Sequence, residues 1–442
     1  MHPRRTSGAC RSLPIVVALT LSILQLGCDA FPLGPQDNAS RRPLLNSREM
    51  PPVQDPVIEG QEDNNEFELA QPATLPVDGQ FVVEGRIDQA GDVDIYALGP
   101  ALAGDLVVVD VTGHDGLNTV AALFDGQANL IDANNDRSFY AGQLNPYMSQ
   151  VVQQDTEMLY VGVAVSTAVH FASSAGQFDT GSYTIRLSRR LNAAVRPARP
   201  QLVWLDFEGS DFVQIALEPI VQMRPFSAES ISGRFAGQTD YLIEVVLSHL
   251  RLDLAQFNVL LLDSRHDVEP TEPHTKLYFG NYNESYLGLA DSVDTGNVYQ
   301  DQEAIIYAED LQLFEGLFPT IEQTGQALAN IAAHELGHLL GLEHSFEAAD
   351  VMATAGSARQ ILEINSDYRR SRVQPDVFPA GWQDGWSILM QNVGPNPSAG
   401  ARSRLPDWLP ADNAGAVIDD GRPDIAIHMC GRCAGEAQTT PH

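Results

Sequence analysis

Residues 334–344, HELGHLLGLEH, constrain this chain more than any other stretch. His334 and His338 lie four apart, so a helix stacks them one turn above each other on a single face. Glu335 projects from a neighbouring position, within reach of a ligand held by the two imidazoles. Gly341 follows three residues on, where a helix needs a left-handed residue to end and glycine adopts that conformation at little cost. The chain can then turn back and deliver His344 as a third nitrogen. Three neutral imidazoles with an open fourth position are the arrangement one catalytic Zn²⁺ requires. A bare His-Glu-x-x-His also occurs by chance on ordinary surface helices; the added Gly341 and His344 set that explanation aside.

With Asp350-Val351-Met352 behind it, the stretch resembles the metzincin metallopeptidases, whose pattern is H-E-x-x-H-x-x-G-x-x-H followed by a Met-turn. Met352 stands eight residues after His344, a spacing similar to that of the matrixin branch, and Ser345 follows His344 as in many matrixins. No tyrosine follows Met352 closely, unlike the astacin and serralysin branches. The resemblance implies that Met352 forms an apolar floor beneath the metal.

The chemistry expected is metal-assisted amide hydrolysis. Zn²⁺ held by His334, His338 and His344 lowers the pKa of a water towards 7 and polarises the scissile carbonyl. Glu335 takes the proton of that water and passes it to the leaving amine. Peptide substrates would be held by strand addition along Tyr286–Ala290, where Gly288, Leu289 and Ala290 are similar to the segment matrixins use beside the substrate; an ordinary protected edge is the other reading. Matrixins also carry a structural zinc with a His-x-Asp cluster, for which this chain has no equivalent, so one zinc is expected. Asp301 and Glu303 fall in a region where that family binds Ca²⁺. His266 and His274 flank a polar loop and read as solvated. The matrixin propeptide cysteine that caps the zinc has no counterpart, because no cysteine lies between Cys28 and Cys430. Any latency would have to work differently.

Charge narrows the partners. The 442 residues carry 58 acidic against 26 basic groups, a formal net charge of −32, and Lys276 is the sole lysine. Such a surface repels phosphate backbones and anionic headgroups, so nucleic acid is excluded as a partner. Solubility, salt adaptation or Ca²⁺ binding accounts for the excess without invoking substrate choice. Protein or peptide substrates and a monomeric state are expected.

The N-terminus reads as an export signal over residues 1–27. Arg4, Arg5 and Arg11 precede the apolar run Leu13–Leu26, which is short for a membrane span and suits a signal core. It ends Leu24-Gln25-Leu26-Gly27-Cys28, similar to a bacterial lipobox with Gln25 in place of an aliphatic residue. Two localisations follow: a lipoprotein anchored through Cys28, the membrane being touched only there, or plain secretion. Cys430 and Cys433, in Cys-Gly-Arg-Cys, have metal half-site spacing without a second pair and read as a local disulfide or an idle pair.

Residues 28–65, rich in Pro, Asn, Gln and Asp, read as a flexible tether. From 66 to 190 the pattern is all-β: Gln80–Ile87, Asp94–Leu98, Leu106–Val111, Val120–Phe124, Leu159–Val165 and Ser182–Leu187 alternate between Gly/Asp/Asn turns. These segments, with Gly91-Asp92-Val93-Asp94-Ile95-Tyr96 and Gly181-Ser182-Tyr183, resemble the bacterial pre-peptidase C-terminal domain, a jelly-roll-like module, which implies an accessory role. Asp92, Asp94 and Asp136 are Ca²⁺ candidates or solvated turn acids. Arg189–Pro200 reads as a linker. Residues 199–395 are expected to form the catalytic module: a strand (Leu202–Phe207), a helix (Tyr241–Leu254), four strands (Phe257–Leu262, Lys276–Phe279, Tyr286–Ala290, Ala304–Ala308) and the active-site helix, opened by the capping box Thr320-x-x-Gln323. Leu328, Ile331, Ala332, Leu336, Leu339 and Leu340 supply its buried stripe. A late helix falls within Gly381–Val393, and residues 396–442 read as an irregular tail on the surface.

The expected fold class is thus multidomain: an all-β sandwich, jelly-roll-like, followed by an α+β metzincin-type domain with a mixed five-stranded sheet and active-site helix. Two function classes stand: an exported zinc metalloendopeptidase, or a cell-surface binding protein that retains a zinc site with little or highly restricted peptidase activity.

Overall fold

Ten strands between residues 57 and 190 build two five-stranded sheets, and period-two alternation marks the long strands of the first. In the first, the order is Val57–Glu59, Gln80–Ile87, Gly181–Arg190, Leu106–Gly113, Tyr147–Val151. Ile185 sits opposite Val83 on one side and Val111 on the other, so three β-branched side chains point into the core together. In the second sheet the order is Gln71–Pro72, Val93–Ala101, Thr156–Val165, Thr119–Phe124, Leu130–Asn134. Phe81, Val83, Tyr96, Leu98, Val109, Leu123, Val161 and Ile185 fill the space between the two. The computed structural model describes residues 57–60, 63–76, 78–138, 142–166, 180–216, 218–398 and 425–430. The expected signal segment, Cys28, most of the tether and Cys433 lie outside them.

The second sheet does not alternate. Every residue of Thr119–Phe124 is buried, because the outer face is covered as well. Val93, Ile95, Val120, Ala122 and Phe124 on that face form a cluster with Val373 and Phe378 from far along the chain.

The stretch expected to be a linker is fixed in place. Arg189 and Arg190 complete a strand, Arg196 donates to the carbonyls of Thr295 and Gly296, and Arg199 to those of Asn297 and Val298.

Next comes a five-stranded mixed sheet: β1 (Gln201–Asp206), β2 (Val259–Asp263), β3 (Thr275–Gly280), β4 (Gly288–Ala290) and β5 (Glu303–Tyr307). The order is β2-β1-β3-β5-β4. The first four strands in that order run parallel; β4 runs antiparallel to β5, with Gly288 opposite Ile306. Helix α1 (Thr239–Asp253) makes the crossover between β1 and β2. Helix α2 (Ile321–Leu339) opens with the Thr320–Gln323 capping box in place and is buried from Ala327 to its end. Its Leu328, Ile331, Ala332, Leu336 and Leu339 join Leu242, Val246 and Leu250 of α1 in one core. Each fully buried aliphatic side chain contributes roughly 1.5–3 kcal/mol, so this stripe anchors the helix firmly.

After α2 the chain forms β6 (Ala355–Ser357), α3 (Ala358–Glu363) and α4 (Gly385–Asn392). Within the tail expected to be irregular, the described residues 425–430 take up regular structure in part. Residues Ala426–His428 form a strand, β7, antiparallel to β6, and Met429 and Cys430 beyond it are buried. The apolar alternation Ile425, Ile427, Met429 carried that signal, but a three-residue strand in a Pro/Gly-rich tail is too short to stand out. Among the described residues, no helix is long and apolar enough to cross a membrane.

Candidate metal centre

Helix α2 ends in a turn fixed by two hydrogen bonds. The Gly341 N–H donates to the His338 carbonyl at 2.9 Å and the Leu342 N–H to that of Gly337 at 2.9 Å, with Gly341 at φ +99°. This Schellman closure reverses the chain and sends residues 342–344 back past the helix end.

His334, Glu335 and His338 are fully buried and His344 nearly so. The Nδ1 of His334 lies 2.7 Å from the Val351 carbonyl, and that of His338 2.8 Å from the Leu342 carbonyl. A carbonyl only accepts, so each Nδ1 carries the proton and each Nε2 presents a lone pair. The two Nε2 atoms face each other at 3.2 Å. Two acceptors at that distance repel unless a cation sits between them. Tetrahedral zinc with Zn–N bonds of about 2.0–2.1 Å places neighbouring nitrogens about 3.3 Å apart. Burial, helped by the neighbouring His344, pulls the His334 pKa down to about 3, which keeps the ring neutral and ready to coordinate.

His344 completes the set, its ring centroid 4.6 Å from that of His338 and 5.5 Å from that of His334. The Gln374 N–H donates to its carbonyl at 3.1 Å, and the Asp376 carboxylate lies 3.7 Å from its Nδ1. Met352 is fully buried against the helix. A β-carbon at Gly337 would lie 2.4 Å from its sulfur. Asp350 shapes that turn by accepting from the Met352 N–H at 3.0 Å, and burial raises the Asp350 pKa. Edge strand β4 presses on Glu335 from the other side: a β-carbon at Gly288 would lie 2.3 Å from the Glu335 Oε1. The three imidazoles fit a zinc ion.

Residues 266–370 match the matrixin family model. This part of the chain is matrixin-like. No curated protein matches the chain. Among solved structures, an archaemetzincin from Methanopyrus kandleri shares 14% identity over 39% of this chain and 90% of its own, with a TM-score of 0.23. The pre-peptidase C-terminal domain of a Bacillus anthracis collagenase shares 14% identity over 27% of this chain and 94% of its own, at TM-score 0.18. A periplasmic inhibitor of g-type lysozyme from Aeromonas hydrophila shares 18% identity over 27% of this chain and 98% of its own, at TM-score 0.19.

From outside the matrixin-like part, a fourth donor joins the three histidines. The ligand atoms of His334, His338, His344 and Cys430 all lie within 4.8 Å of one another, and all four residues are buried. Cys430, read from sequence as half of a local disulfide or an idle pair, is a buried thiol at the histidine group. The free edge of β4, expected to receive a peptide, is paired within the chain. Leu287 and Gly288 donate their N–H groups to the carbonyls of His428 and Met429 at 3.1 and 2.9 Å. Leu289 and Ala290 of β4 pair inward with β5.

The calcium candidates are not gathered. Asp301 is exposed, while Glu303 is half-buried and accepts from the Tyr278 hydroxyl at 3.0 Å. Among the described residues, neither joins a group of three ligands. In the sandwich, Asp92 accepts from the Asp88 N–H and Asp94 from the Tyr183 hydroxyl. His266 lies beside Asp263 in a largely exposed position, but His274, expected in solvent, is buried next to Glu269.

Proposed function

We propose that the protein is an exported zinc-dependent metalloendopeptidase. The observation that carries this is the pair of Nε2 lone pairs held 3.2 Å apart by carbonyl-fixed Nδ1–H groups, with His344 above and Glu335 buried beside them. When bound, the zinc supplies a Lewis acid that brings the pKa of a water near neutrality. His334, His338 and His344 hold it, and the Val351 and Leu342 carbonyls fix two of the rings and strengthen them as ligands. Glu335, one residue after a ligand, reaches the water without taking a ligand position. Its carboxylate accepts the proton during attack on the peptide carbonyl and returns it to the leaving amine. Edge strand β4, with Gly288, Leu289 and Ala290, supports an extended peptide by strand addition. Export rests on the positively charged, then apolar, N-terminus, with lipidation at Cys28 or plain secretion as its two forms.

The test is zinc content and hydrolysis of casein or gelatin measured together. Replacing His334 or His338 should remove the zinc, and Glu335→Gln should keep it while abolishing chelator-sensitive turnover. Retained hydrolysis in Glu335→Gln would overturn the assignment.

One observation favours a second reading. Structural zinc sites are closed by four protein ligands, and Cys430 supplies a fourth here. On that reading the chain is a cell-surface binding protein whose zinc only holds the fold together.

A further inference from the structure

Cys430 reaches the histidine group on a segment held on both sides, by β6 and by β4, which form the two rims of a groove. On one rim β7 pairs with β6, His428 opposite Ala355, Ile427 opposite Gly356 and Ala426 opposite Ser357, while the Met429 N–H donates to the Thr354 carbonyl at 3.0 Å. On the other rim, the N–H groups of Leu287 and Gly288 bond to residues 428 and 429, and Gly288 bridges Cys430 in parallel. The segment therefore lies along β4 as an added strand, where an extended peptide would bind, and ends with its thiol at the imidazoles.

A closed structural site has no use for Glu335. Burying a carboxylate beside metal ligands is costly, and β4 must keep glycine at 288 to accommodate it. A hydrolytic site masked by its own chain accounts for both the carboxylate and the thiol.

We propose that Cys430 is the fourth ligand of the zinc, and that residues 426–430 keep the peptidase latent by filling both the groove and the coordination position that substrate and water require. The proposal rests on the three-histidine zinc site argued above. On coordination the thiol S–H breaks and its proton leaves to solvent. On release the thiolate regains a proton and a water takes its place. No redox change is involved.

The test uses the full-length chain. Zinc-edge X-ray absorption of the unmodified protein should show three nitrogens and one sulfur, and cobalt(II) substitution should give a thiolate-to-metal charge-transfer band. Cys430→Ala should remove the sulfur and the band, keep the metal, and raise kcat/KM on a peptide library by an order of magnitude or more; adding Glu335→Gln should abolish the gain. Stoichiometric metal without sulfur in the unmodified protein would overturn the Cys430 assignment and leave the zinc site standing. No metal binding in any form would overturn the zinc site itself. A Cys430→Ala protein that binds metal through three nitrogens yet gains no hydrolysis would overturn latency and favour the structural zinc reading.

Discussion

Gly337 and Met352 approach so closely that no β-carbon fits between them: one built at Gly337 would lie 2.4 Å from the Met352 sulfur. Glycine in a helix interior costs about 1 kcal/mol relative to alanine, so α2 accepts that cost one residue before a ligand to let the sulfur under it. Gly337→Ala should therefore destabilise the zinc-loaded protein by about 1–3 kcal/mol through overpacking, against its favourable helix propensity. Pairing it with Met352→Ala should recover part of the loss. Denaturant melts of the two single variants and the double variant check this; strictly additive effects would show that the contact does not strain the helix.

Much of this arrangement is legible in the sequence because it is local. The spacing of His334, His338, Gly341 and His344 encodes a helix, a left-handed turn and a return, and Thr320 and Gln323 mark the helix start. What is not legible is non-local. Gly337 and Gly288 are small because Met352 and Glu335 must fit against them, and nothing beside either glycine in sequence says so. Nothing around Phe378 in sequence points to its partners, among them Phe124, more than 200 residues earlier. Cys430 is the clearest case. Its significance depends on the six-residue segment 425–430, with only three residues in a strand, lying between residues 287–288 and 354–357, and no periodic signal can develop over so few positions.

Gly288 gives a second test. Placing a methyl group there would push the Glu335 carboxylate from its position, with the closest approach at 2.3 Å. In a Cys430→Ala background, Gly288→Ala should leave zinc content unchanged and lower kcat by an order of magnitude or more, since a proton acceptor displaced by about 1 Å loses its alignment. Loss of zinc instead would mean that the edge strand supports the ligands and not the carboxylate.

Asp310 gives the pH dependence. Its carboxyl accepts from the Asn283 N–H at 2.8 Å in the loop that leads to β4, and burial pushes its pKa from 3.8 up to about 7, with Glu309 adding to the rise. Between those values the native state holds a proton that the unfolded chain has lost. Stability therefore falls as pH rises through the window, its full contribution being present below the unfolded pKa. Asp310→Asn stays neutral throughout. The melting temperature of the unmodified protein relative to this variant should fall from about pH 4 to about pH 7. Parallel pH profiles for the two proteins would rule the effect out.

Phe378 links the β-sandwich to the segment behind His344. Its buried ring lies edge-on to Phe124, with centroids 5.5 Å apart, and a β-carbon at Gly162 would meet it at 2.6 Å. Four residues earlier, the Gln374 N–H holds the His344 carbonyl, and two residues earlier Asp376 faces the His344 ring. Phe378→Ala should cost about 3–5 kcal/mol, as truncation of a buried aromatic does. Because the same segment orients His344, zinc affinity should fall as well, by about 10–100-fold if the loss resembles that of other partners behind a ligand. Chelator competition on the folded variant measures the second effect separately from the first. If stability drops while zinc affinity holds, the sandwich only covers the domain; if both drop, docking of the sandwich is part of how the third imidazole is kept in place.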